Sequence, residues 1–245
     1  MPFPDPERFG TILLDIEGTT TPKTFVYDVL FPYATKKLRR FVHEHFQDAE
    51  IRACLDKCKE QRLADANPDL PKWREDSERD SIDSLIVYLR WLMERDSKLT
   101  ALKALQGKIW EEGYALGELS GQVYPDVPPA LRRWSAHRKE TYIYSSGSEL
   151  AQRLLFRTTE HGDLTNFIAG FFDTRVGAKT DPRSYREIAC QIGWSPKQIL
   201  FLSDSENELQ ASQLAGMSAV LAVRSLERAP VSTKFQAIGS FDEIL

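Results

Sequence analysis

The sequence predicts an α/β protein: a doubly wound parallel sheet with an all-helical domain inserted after its first strand. Short apolar runs without alternation recur along the chain, as in strands buried on both faces. From residue 126 onward these runs alternate with helix-like segments over short connections, the pattern of a parallel sheet with helical crossovers. Between residues 23 and 119 no strand is read, and the apolar residues fall into helical stripes instead.

The first run, Ile12-Leu13-Leu14, ends on Asp15. Residues 31–46 and 50–63 then read as helices, with Asn67-Pro68-Asp69-Leu70-Pro71 as a loop. Ile82, Leu85, Ile86, Leu89, Leu92 and Met93 recur at helical spacing as one apolar stripe, and Leu102, Leu105, Ile109 and Leu116 make another. The inserted unit therefore spans residues 23–119, and residues 1–22 with 120–245 form the α/β core. In the second half of the core, residues 126–137 open with Asp126 and nearby prolines and read as a helix. Thr141-Tyr142-Ile143-Tyr144-Ser145 is a strand, and Gly170-Phe171-Phe172-Asp173 a shorter one. Asp181-Pro182 opens a helix as N-cap and first helical residue. Ile199-Leu200-Phe201-Leu202-Ser203-Asp204 is the next strand, residues 206–215 a helix, and residues 218–223 the fifth strand.

At 245 residues the chain can hold one large domain or two smaller ones. Its formal charge is −4, and its lysines and arginines are scattered among acids as on solvated helix faces. That argues against a nucleic-acid partner, which requires a clustered basic face. No segment approaches the ~18 apolar residues of a membrane span. Met1-Pro2-Phe3-Pro4 has neither the basic start nor the apolar run of a signal peptide. Cys54, Cys58 and Cys190 make an odd count with no second pair to complete a zinc site. They read as the reduced thiols of a cytoplasmic protein. His43, His45, His137 and His161 have no partner in ligand spacing and read as surface residues.

In an open parallel sheet, ligands sit beyond the carboxyl ends of the strands. Three of the runs place Asp15, Ser145 and Asp204 at that edge, although they are far apart in sequence. Lys179 lies in Gly177-Ala178-Lys179-Thr180, just before a helix start, and so at the same edge. Each residue alone has a plain reading: a turn or cap residue for the serines and aspartates, a solvated lysine for Lys179. Together, two carboxylates, a hydroxyl and an ammonium suit a phosphate ester held by magnesium, a hard cation that needs few protein ligands because it keeps several waters.

Asp15-Ile16-Glu17-Gly18-Thr19-Thr20, Ser145-Ser146-Gly147-Ser148, Lys179 and Ser203-Asp204 with Glu208 stand in the order of the four motifs of the haloacid dehalogenase superfamily. More narrowly, the run from Leu13 to Pro22, Leu30-Phe31-Pro32-Tyr33, the segment from Ala101 to Gly107 and Tyr142-Ile143-Tyr144-Ser145-Ser146-Gly147-Ser148 resemble the acireductone synthases, the enolase-phosphatases of methionine salvage. The likeness runs from about residue 11 to 223.

The resemblance implies a haloacid dehalogenase-like core with an inserted all-helical cap domain that closes over the site. It implies that Asp15 attacks phosphorus and forms an aspartyl-phosphate. One magnesium ion per subunit would be held by Asp15, the backbone carbonyl of Glu17 and Asp204. Ser145 and Ser146 would hold the phosphoryl group, and Lys179 would bind it and balance charge. The implied substrate is a phosphorylated diketone, 2,3-diketo-5-methylthiopentyl 1-phosphate, enolised and then dephosphorylated to the acireductone. Apart from the resemblance, the chain is expected to be a cytoplasmic monomer. Most phosphatases of the superfamily carry Asp two residues after the nucleophile; here that residue is Glu17, as in the acireductone synthases. A leaving enolate needs less proton donation than an alkoxide, so Glu17 suits either enolisation or leaving-group protonation, and both stay open. Glu208, one helical turn beyond Asp204, suits a metal-bound water or the plain surface. Glu206 reads as solvated. Lys98, Lys103 and Gln106 read first as exposed helix residues, with substrate contact as the sharper alternative.

The nearest rival is a superfamily phosphatase for another small phosphate ester, from which Glu17 and the cap sequence discriminate. A halide-removing hydrolase needs no metal, and the acids Asp204 and Glu208 speak against it. A phospho-accepting receiver would carry its Asp after two earlier strands in a chain of about half this length. A dinucleotide-binding dehydrogenase lacks its Gly-x-Gly-x-x-Gly here.

Overall fold

The computed structural model describes residues 8–95, 97, 99–224 and 234–244. They form two compact units by contact density. One runs up to Phe25 and resumes at Ser120; the other is Val26–Leu119.

The first unit holds six strands: β1 (Thr11–Leu14), β2 (Glu140–Tyr144), β3 (Gly170–Phe172), β4 (Ile199–Ser203), β5 (Ser218–Ala222) and β6 (Gln236–Ile238). They make one sheet in the order β3-β2-β1-β4-β5-β6, and every pair is parallel. Every residue of β1 and β4 is buried, which is why their apolar runs do not alternate. Strand β6 was not legible in the sequence, because it has three residues and only Ile238 is buried.

Helices α5 (Val127–Ala136), α6 (Glu149–Arg157), α7 (Pro182–Ile192) and α8 (Glu206–Ala215) belong to this unit. Leu13, Tyr144 and Phe201 pack with Tyr185 and Ile188 of α7 and Leu209 of α8 in one core cluster. Elsewhere in the unit, Trp134 of α5 is fully buried, 5.4 Å from the Phe241 ring, and donates its indole N–H to the Ile244 carbonyl at 3.2 Å. Asp181 caps α7 by accepting the Arg183 N–H at 2.8 Å, as the Asp-Pro pair predicts.

The register explains how distant residues meet. Leu14 stands level with Ile143 of β2 and Leu202 of β4. Asp15 therefore leaves the sheet within one residue of Ser145 on one side and of Asp204 on the other. Strand order reverses at β1, so this edge is the topological switch point where α/β folds bind ligands.

The second unit contains α1 (Phe31–His45), α2 (Ala49–Ala64), α3 (Glu78–Glu94) and α4 (Thr100–Ala115), with each of α1 and α2 packed on both α3 and α4. Leu85, Ile86, Leu89 and Leu92 of the α3 stripe are buried, while Ile82 and Met93 sit at its margins. On α4, Leu102, Leu105 and Ile109 are buried, but Leu116 falls past the last helical residue and is 59% exposed. The periodicity carried the stripe one turn too far. Gln106 is buried rather than exposed, Lys103 is half-buried, and Lys98 lies outside the described residues. His45 corrects the reading of partnerless histidines: its ring nitrogens lie 2.7 Å from Asp48 and 3.1 Å from Glu112. Glu112 arrives from α4, 67 residues away, so no sequence spacing could reveal it. Glu44, His45 and Glu112 are close enough to hold a cation, but Arg40 pairs with both glutamates, so the group is an ion-pair network.

Candidate active site

Asp15 extends the β1–β4 pairing by one step, donating its N–H to the Leu202 carbonyl at 3.0 Å, and its side chain is only 3% exposed. The chain then folds tightly back. The amides of Thr19, Thr20 and Thr21 all donate to the Ile16 carbonyl, at 3.1, 3.0 and 2.9 Å. Within this turn Gly18 has φ of +80°, and a Cβ there would collide with the Asp204 carboxylate. Only glycine meets both conditions.

Both oxygens of Asp15 are engaged. Lys179 Nζ forms an ion pair with Oδ1. The Thr19 hydroxyl donates to Oδ2 at 3.0 Å and itself accepts the Asp204 N–H at 3.0 Å. Because that amide can only donate, the hydroxyl proton must point to Asp15. Lys179 also pairs with Glu208 Oε2 at 2.7 Å, and Glu208 accepts the Ser203 hydroxyl at 2.9 Å. Glu208 is thus the second counter-charge of Lys179.

The loop carrying Lys179 is clamped carbonyl by carbonyl. Tyr144 OH donates to Gly177 O at 3.0 Å, Ser184 Oγ to Ala178 O at 2.8 Å and Tyr185 OH to Lys179 O at 2.7 Å. Gly177 has φ of +131°, which lets the chain leave β3 and still aim Lys179 back at the strand edge. Across the site, Ser145 accepts the Gly147 N–H at 3.1 Å and makes a long contact, 3.5 Å, to Glu17 Oε2. Ser146 stands half-buried beside it.

The charges are out of balance. Asp15, Glu17, Asp204 and Glu208 gather around Lys179 and Lys23, which pairs with Asp204 Oδ2. Burial raises the pKa of Glu17, and the Asp15 charge raises it further. Burial also raises Asp204 and Glu208, with Asp15 adding to both against their lysine partners. Burial opposes the Lys179 ammonium, but Asp15, Glu208 and Glu17 overcome it and hold its pKa above the ordinary lysine range. Four carboxylates against two ammonium groups, with every donor an oxygen, fit a hard divalent cation. A cavity of about 510 Å³ adjoins Asp204, lined in part by Gly18, Lys23, Tyr124, Glu206 and Arg224.

Asp15, Glu17, Ser145, Lys179 and Asp204 thus come together at one strand edge, with Ser146 beside Ser145. Thr19 and Ser203 stand in the motif runs without a role assigned from sequence, and Lys23 lies outside them. The run Thr19-Thr20-Thr21 did carry a signal, since three hydroxyls four to six residues after a strand-end aspartate are poorly explained as solvated loop; all three are fully buried.

Fold and site define a class. The pattern of the haloacid dehalogenase-like hydrolases matches residues 9–216. CbbY from Rhodobacter sphaeroides, solved in complex with phosphate, shares the fold at a TM-score of 0.56 and 17% identity, with 96% of each chain covered. The UTR4 protein of Saccharomyces cerevisiae is more similar, with a TM-score of 0.76 and 33% identity over 96% of this chain and 99% of that one. Enolase-phosphatase E1 of Synechococcus elongatus is 44% identical over 99% of this chain and 100% of its own length. That of Danio rerio is 40% identical over 89% and 87%. The chain belongs to the enolase-phosphatase E1 family of haloacid dehalogenase-like hydrolases.

Proposed function

We propose that this chain converts 2,3-diketo-5-methylthiopentyl 1-phosphate to the acireductone and phosphate in methionine salvage, enolising the substrate and then removing its phosphate through an aspartyl-phosphate at Asp15. The observation that carries this reading is a buried Asp15 held on one oxygen by Lys179 and on the other by Thr19, with Glu17 alongside.

Lys179 pairs with one oxygen of Asp15, the nucleophile, and its second bond to Glu208 holds the ammonium in place. Asp15 forms the new bond to phosphorus as the bond to the substrate's enol oxygen breaks, and the enolate leaves. Water then attacks the aspartyl-phosphate, releasing phosphate and restoring the carboxylate. Ser145 and Ser146 supply hydroxyl donors for the phosphoryl oxygens. Burial and the Asp15 charge raise the Glu17 pKa, which suits the side chain to exchanging a proton with substrate. It either takes the proton from the carbon beside the carbonyl during enolisation or protonates the leaving oxygen. Asp15, the Glu17 backbone carbonyl and Asp204 would hold one magnesium ion per subunit. When bound, the ion supplies charge neutralisation at the phosphoryl group.

The reading includes a cytoplasmic monomer. Its three cysteines are free thiols. Among the described residues no helix is long and apolar enough to cross a membrane. The test is a panel of small phosphate esters, including the diketo phosphate, assayed for phosphate release with and without magnesium. The diketo phosphate should be turned over far faster than the rest. Preference for another ester would leave a phosphatase of the same class with a different substrate.

A further inference from the structure

Arg224 lies just beyond β5 and belongs to none of the four motifs. Its side chain is 7% exposed, and it pairs with Asp126, itself 12% exposed, at 2.6 Å. The guanidinium lies 4.7 Å from the Tyr124 ring centroid and 4.2 Å from that of Phe241. Asp126 is fixed in turn by the Phe241 N–H at 2.6 Å and the Ser240 hydroxyl at 3.3 Å. A planar guanidinium paired and stacked this way has a set orientation. Its remaining bonds have a direction: Nη1 donates to Gly239 O at 3.2 Å, and Nε donates to the carbonyl of Thr19 at 2.8 Å. Tyr124, whose ring stacks on Arg224, donates its own N–H to the next carbonyl, that of Thr20, at 2.9 Å.

Two successive carbonyls of the turn after Asp15 are therefore tied to one buried cluster. The first belongs to Thr19, whose hydroxyl joins Asp15 Oδ2 to the Asp204 N–H. We propose that Arg224 is a positioning residue for the reaction: by holding the Thr19 backbone it sets the aim of the Asp15 carboxylate and its spacing from Asp204. The inference rests on the reading of Asp15 as nucleophile. A buried ion pair is weak evidence for stability in itself, because desolvation offsets much of the attraction. The directed bond to Thr19 is what suits this pair to alignment.

The test is a double-mutant cycle of Arg224→Lys and Thr19→Val. The lysine keeps a charge for Asp126 but loses the Nε bond. Arg224→Lys should lower kcat by ~10- to 100-fold with KM nearly unchanged, the scale of a misplaced reacting group. It should also weaken magnesium binding to chelator-stripped protein by roughly tenfold in titration calorimetry, through Asp204. Because Arg224 acts through Thr19, the double variant should be no worse than Thr19→Val alone. Penalties that multiply, or an Arg224→Lys enzyme with wild-type kcat and magnesium affinity, overturn the inference. Should the lysine variant fail to fold, Tyr124→Leu removes the stacked ring and goes through the same cycle with the same two outcomes. An active Asp15→Asn enzyme would sink the nucleophile reading instead; an inactive one with multiplying Arg224 and Thr19 penalties sinks only this inference.

Discussion

Asp15 sits between an ammonium and a hydroxyl, so its two oxygens are distinguished before any substrate arrives. On the proposed reading, replacing it by asparagine would remove the nucleophile and an anionic metal ligand together. Asp15→Asn should lose at least ~10³-fold in phosphate release, and retention of a tenth of the activity would refute its role. Glu17 separates the two half-reactions. Glu17→Gln should keep much of the magnesium affinity, since on the proposed reading the backbone would supply that position's metal contact, while catalysis falls by ~10²- to 10⁴-fold. Ultraviolet absorbance follows the enediol products and a coupled assay follows phosphate. A role in enolisation predicts that the variant still dephosphorylates a supplied enol phosphate; a role in leaving-group protonation predicts that the enol phosphate accumulates. Unchanged rates for both steps would make Glu17 structural. At this scale the motif residues were legible, because a strand-end carboxylate is visible wherever an apolar run stops. Arg224 was not, because a single arginine after a strand reads as solvated until Asp126, Tyr124 and Phe241 are known to surround it.

Helices α1 and α4 are joined by a pairing that sequence distance conceals. The hydrogen bond to Asp48 raises the pKa of His45; burial opposes it, and Glu112 adds to the rise. The unfolded chain titrates near the ordinary histidine value of about 6.5, so the folded state binds the proton more tightly. The resulting stabilisation is fully present below about pH 6.5 and is lost as pH rises through the higher folded-state value. A His45→Gln variant should accordingly show its largest deficit in melting temperature near pH 5.5, shrinking at higher pH. A deficit independent of pH would assign His45 to packing alone. Element identity was well read where periodicity was long, as in α3, and lost at the ends, as at Leu116, where nothing local marks the last turn. Strand β6 escaped because three residues on a sheet edge need no apolar run.

For the whole molecule, the excess of carboxylates at the strand edge predicts dependence on a divalent cation. A chelator should abolish phosphate release and magnesium should restore it. Calcium should not, since it prefers more ligands at longer distances and would loosen the in-line geometry. Magnesium should also raise the melting temperature of chelator-treated protein, because it binds the folded site. Full activity in excess chelator would favour a metal-free hydrolase. By itself the sequence determined the fold class, the helical insertion and the residues of the motifs. Those depend on local patterns: burial of a strand on both faces, helical periodicity, and a polar residue where an apolar run stops. Only the tertiary structure decided that Glu208 is the partner of Lys179, that Thr19 links Asp15 to Asp204, and that Arg224 anchors Thr19. Such pairings join residues up to 205 positions apart, and they are set by strand order and register, which no local pattern encodes.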